Sequence, residues 1–169
     1  MFQIGDLIIY GNNGVCRVDE IGPSKIGGTK DCLYYTLEPL FGSGTIYTPV
    51  ETKVFMRPII TKDEAENLID QIPNIHEDIC VNKKISVLKE HYTNSIQSHT
   101  CRDLVQIIKE ISVKEQRAIQ NRQHLGQIDQ HFLKQAEDML YGELSIALSI
   151  PKEDVLPYIK KRIDALSCS

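Results

Sequence analysis

No apolar run in this chain approaches the ~20 residues needed to span a bilayer, because Gly, Pro or a charge breaks every candidate. The opening stretch lacks the basic start of a secretory signal and places Gly5 and Asp6 where such a signal needs a greasy core, so secretion is not expected. The five cysteines, Cys16, Cys32, Cys80, Cys101 and Cys168, include no CxxC pair. An odd, scattered set fits neither a disulfide framework nor a zinc ribbon and suits a reducing cytoplasm.

The grouped acids, bases and nucleophiles of an enzyme are also missing. There is no Walker loop, no G-x-G-x-x-G, no H-E-x-x-H and no G-x-S-x-G. The histidines, His76, His91, His99, His124 and His131, fall at spacings without a metal-ligand pattern. Cys101 beside His99 supports thiol catalysis only with a third orienting group. No catalytic activity, metal or cofactor is expected.

What is present is a change of period. The first sixty of 169 residues read as short strands cut by glycine, and nearly everything after Thr61 reads as amphipathic helix. Hydrophobic usage of 41% and charged usage of 25% are ordinary for folded domains. Charge is unevenly placed: residues 1–60 carry net −1, 61–80 net −5, 81–126 net +4 and 127–169 net −2. A basic island in an acidic protein is a pattern of local attraction to a polyanion, or else a solvated charged helical surface.

Strands are expected at 7–10, 15–21, 33–38, 45–50 and 53–56, rich in Val, Ile, Tyr and Thr and bounded by turn residues. Their spacing reads as a small antiparallel barrel or curled sheet. Gly27-Gly28 and Gly42-Ser43-Gly44 supply the positive φ angles of tight hairpins. Pro49 cannot donate to a ladder, which places its strand at an edge or at a bulge.

In the second half, Thr61-Lys-Asp-Glu64 is a capping box ahead of Ala65, Leu68, Ile69 and Ile72, with Pro73 as the stop; this short helix reads as a connector. Val81, Ile85, Leu88, Tyr92 and Ile96 form the stripe of a second helix. Thr100 and Asp103 cap a third, with Leu104, Ile107, Ile108 and Ile111 on one face. Residues 120–127 read as a loop, and a fourth helix carries Phe132, Leu133, Ala136, Met139, Leu140, Leu144 and Leu148. A last segment starts at Pro151, with a kink or late start expected at Pro157.

The string FQIGDLIIY ending at Tyr10, then Gly14-Val15, Tyr34 to Leu37, and TIYTPV from Thr45 to Val50 resemble the RNA-polymerase-interaction domain of CarD-type transcription regulators, a module also carried by transcription-repair coupling factors. Leu140 to Leu148 with Ile150-Pro-Lys-Glu is similar to the closing helices of the same family. The resemblance implies an α+β protein: a Tudor/SH3-like β-barrel at 1–60, a connector helix at 61–73 and an all-α DNA-binding bundle at 74–169. It also implies a cytoplasmic bacterial monomer that docks on the polymerase β subunit and contacts promoter DNA, without sequence readout, at the upstream edge of the melted bubble, stabilising the open complex. A polymerase-bound adaptor without DNA binding is the alternative.

On the docking side the resemblance marks Lys25, Ile26, Thr45, Ile46, Tyr47, Thr48 and Pro49, with Ser24 and Tyr47 standing where some members have arginine. On the DNA side the candidates are Lys83, Lys84, Lys89, Arg102 and Lys109. Many members wedge a tryptophan into the minor groove near the start of the second helix. This chain has no tryptophan, so by position His76 or Ile79 is expected in its place.

Overall fold

The computed structural model describes residues 1–27, 31–80 and 84–168. Among these, five strands come first: β1 Leu7–Tyr10, β2 Val15–Pro23, β3 Leu33–Pro39, β4 Ile46–Pro49 and β5 Met56–Pro58. Five α-helices follow: α1 Lys62–Gln71, α2 Ile85–Gln97, α3 Cys101–Gln120, α4 Gln127–Leu148 and α5 Lys152–Ser167. The chain divides into two units, Met1–Ile59 and Ile60–Ser169, an α+β arrangement with the two classes of element segregated.

In the first unit the period of two selects the core: Ile8 and Tyr10, Cys16 and Val18, Tyr35 and Leu37 all point to one buried cluster. Ile8, Val18 and Leu37 each contribute roughly 1.5–3 kcal/mol by leaving water. The strands are antiparallel in the order β4-β3-β2-β1-β5. That pairing leaves β4 and β5 as edges, so the expected closure into a barrel is not part of the ladder. The sheet is nonetheless curled, because Tyr10 Oη on β1 donates to Thr48 Oγ1 on β4 at 3.1 Å across two intervening strands.

A bulge in β2 keeps this pattern in phase. Val18 faces Leu37, but the next partners are Glu20 with Thr36 and Ile21 with Tyr35, leaving Asp19 as the extra residue. The insertion turns Ile21 rather than Glu20 toward the core. Strand β5 lies at 56–58 instead of the expected 53–56. Its pairing is made by Met56, Arg57 and Pro58 with β1, a placement that local strand propensity did not reveal.

In the second unit α1 opens with the expected capping box, Thr61 Oγ1 accepting from Glu64 N–H at 3.2 Å and Glu64 Oε2 accepting from Thr61 N–H at 2.7 Å. Pro73 falls in a 3-10 turn, Ile72–Asn74, that ends it. The segment read as a connector is part of this unit's core, for Ala65 and Ile69 are fully buried with Tyr92, Ile107, Ile111, Leu140 and Leu144. Of the stripe expected for α2, Val81 lies outside the described residues, Ile85 is 62% exposed, and Tyr92 and Ile96 are buried. His99 takes a left-handed φ of 56° between α2 and α3, and Thr100 then caps α3 by accepting from Asp103 N–H.

Helix α5 starts at Lys152 and runs through Pro157 instead of starting late. Glu153, whose carbonyl loses the missing amide, is exposed, so water can replace that bond.

Candidate functional site

The outer edge of β4 is the first candidate. Val50 N–H donates to the Leu33 carbonyl at 2.9 Å, and in an antiparallel ladder the residues that address the neighbouring strand alternate. Thr48 and Ile46 therefore turn their backbone groups to β3, whereas Tyr47 and Pro49 turn theirs away. Pro49 has no N–H, so its place on the outward side leaves the ladder intact. Tyr47 offers both a donor and an acceptor there.

Side chains follow the same alternation. Thr48 is buried under the Tyr10 hydroxyl and Ile46 packs on the core, while Tyr47 is 43% exposed. Beside Tyr47 a groove of about 250 Å³ is lined by Glu20, Lys25, Tyr34 and Thr36 among others. Lys25 is ion-paired with Glu20, and the Glu20 hydrogen bond raises the lysine's pKa. The pair is largely exposed and so is worth little to stability. Ile26, 71% exposed, follows in a turn in which Ser24 Oγ accepts the Ile26 N–H. Lys25 and Tyr47 thus share one groove, and Thr45 precedes the same strand.

The second candidate is the basic part of the helical unit. Lys84 at the start of α2, Lys89 within it and Arg102 in the first turn of α3 are exposed. They do not form one cluster, since α2 alone separates Lys84 from Arg102 by about 20 Å of helix. Lys83 lies outside the described residues.

Lys109 is half-buried and turned inward. Its Nζ donates to the carbonyls of Ile72 at 2.8 Å and Ile75 at 2.5 Å, adding a side-chain donor at the exit of the 3-10 turn, where the Ile72 carbonyl also accepts from Ile75 N–H. Lys114, also in the basic island, is likewise turned inward, donating to Tyr92 Oη at 2.7 Å.

His76 is exposed and Ile79 half-buried, in the stretch between the 3-10 turn and α2. Next to it lies a polar network that the sequence did not disclose. Glu110, 1% exposed, accepts from Cys80 N–H and from His91 Nε2, each at 2.9 Å. Tyr92 Oη donates to Asp129 at 2.5 Å, and burial first, then this acidic partner, pushes the Tyr92 pKa up. A second buried carboxylate, Glu143, accepts from Ile60 N–H at 3.0 Å and Cys101 Sγ at 3.1 Å. Both glutamates adjoin apolar stripes, Glu110 three residues after Ile107 and Glu143 three after Leu140, which is the only sequence trace of their burial.

Among the described residues no group of three His, Cys, Asp or Glu side chains is placed to hold a metal, and no helix is long and apolar enough to cross a membrane. Residues 2–60 match the family described as the CarD-like/TRCF RID domain. The N-terminal unit is therefore similar to the RNA-polymerase-interaction domain of CarD-like proteins and coupling factors. None of the curated proteins matches this chain.

Proposed function

We propose that this chain is a non-enzymatic, cytoplasmic transcription regulator that docks on the β subunit of RNA polymerase through the β4 edge and reaches upstream promoter DNA with its helical unit. The observation that carries the reading is an interaction domain of the RID family whose edge strand leaves the Tyr47 backbone unpaired beside an exposed aromatic ring. Strand addition supplies main-chain hydrogen bonds and Tyr47 supplies the anchor, a combination suited to a protein partner.

On the helical unit, Lys84, Lys89 and Arg102 act as phosphate contacts, with His76 and Ile79 presented toward the groove. Such contacts are weak alone and carry no base readout. Docking on polymerase supplies the missing affinity by raising the local concentration of promoter DNA, to the millimolar range for a short connection. The result is a longer-lived open complex.

The test is the lifetime of polymerase–promoter complexes in the presence of the full chain carrying Lys84→Glu with Lys89→Glu. A shorter lifetime with polymerase binding intact supports the reading. An unchanged lifetime leaves an adaptor that binds polymerase and no DNA.

A further inference from the structure

We infer that Lys109 and Glu110, neighbours on α3, are positioning residues that hold 76–79 in one conformation for promoter contact, an inference that rests on the DNA reading above. Lys109 Nζ takes the carbonyl of Ile75 at one end of the stretch, and Glu110 Oε1 takes the amide of Cys80 at the other. Between these two bonds lie His76, Glu77, Asp78 and Ile79, four residues outside any helix or strand.

Both anchors are firm. Ile75 is 2% exposed within the helical core, and Lys109 also holds the Ile72 carbonyl, so the ammonium spans the exit of the 3-10 turn. Glu110 is buried and tied to His91 Nε2 at 2.9 Å, with Lys114 Nζ at 3.5 Å. A carboxylate so enclosed cannot turn to solvent, and the Cys80 amide finds its acceptor already in place.

A short stretch pinned at both ends keeps little of its freedom. His76, Glu77 and Asp78 remain exposed and Ile79 half-buried, so the clasp orders the backbone while leaving side chains open to a partner. Order established before binding removes that cost from the binding step. The lysine expected to touch phosphate therefore acts one step back, through the segment it holds.

Amide exchange over 75–80 in the full chain, read beside promoter-complex lifetime, tests the clasp. Lys109→Met should speed exchange of the Cys80 region roughly tenfold and shorten the lifetime at least roughly threefold, with Lys109→Arg restoring both. Unchanged exchange in Lys109→Met, or fast exchange with a normal lifetime, would overturn the inference.

If Lys109→Met does not fold, the exposed pair Glu77→Gly with Asp78→Gly is compared with Glu77→Gln with Asp78→Asn, which removes the same charges without loosening the backbone. The glycine pair should give the shorter lifetime, and equal lifetimes would contradict ordering. Failure of the DNA reading shows elsewhere: Lys84 and Lys89 reversal would then leave lifetime unchanged, and the clasp, whatever its exchange, would have no promoter role.

Discussion

Arg162 donates from Nε and Nη2 to the two carboxylate oxygens of Asp70, at 2.5 and 3.0 Å, tying α5 to α1. This two-pronged geometry is the strongest form of the Arg–carboxylate pair. It explains why a segment that reads as a connector is held in the helical unit.

The hydrogen bond from Arg162 holds the Asp70 pKa below the usual carboxylate value. A depressed acid contributes stability that is present above its unfolded pKa and is lost as pH falls through the folded one. Acid unfolding followed by circular dichroism should therefore show a shallower low-pH loss in Asp70→Asn than in the parent. Identical acid limbs would mean that the pair contributes nothing measurable.

At the other extreme, burial and then Glu137 push the Tyr141 phenol up to about 12. Its contribution is complete below the unfolded value near 10 and is lost as pH rises through about 12. Tyr141→Phe should remove part of the alkaline loss of stability, measured by melts across that window. A parent and variant with the same alkaline slope would count against it.

Glu143→Ala should destabilise the helical unit by about 1–3 kcal/mol, the cost of leaving a buried donor without its acceptor. Denaturant unfolding of the helical signal reads this directly. A change within ~0.5 kcal/mol would show that water enters and satisfies the Ile60 amide.

Tyr47→Pro removes an amide that points away from β3, so the sheet should fold while strand addition at the β4 edge fails. Native circular dichroism with lost β-subunit binding is the expected result. Retained binding would move the docking surface off this edge.

If His76 or Ile79 occupies the place of a groove wedge, enlarging it should favour the melted promoter selectively. His76→Trp or Ile79→Trp should slow open-complex decay at one of the two positions. No change at either would mean that this stretch does not enter the groove.

Much of this arrangement is legible in residues 1–60, where alternation and glycine turns locate β1 to β4, and in the helical stripes, where caps at Thr61 and Thr100 mark true starts. The misplaced β5 shows the limit: its three residues are a strand only because β1 is there to pair with them. Counting charge treats every Lys as solvated, and Lys109 and Lys114 are not, since backbone carbonyls and a buried phenol claim them. Glu110 and Glu143 escape notice for the complementary reason. A carboxylate beside an apolar stripe is usually the edge of the exposed face, and only tertiary partners show that these two are inside.

Docking through β4 is tested by the affinity of the full chain for the polymerase β subunit, parent against Tyr47→Ala. An anchor residue of this kind is worth ~2 kcal/mol or more, roughly a thirtyfold loss on truncation. Docking through β4 predicts tight binding by the parent and that loss in a variant whose melting is unchanged. Equal affinities, or no binding by the parent, would contradict it.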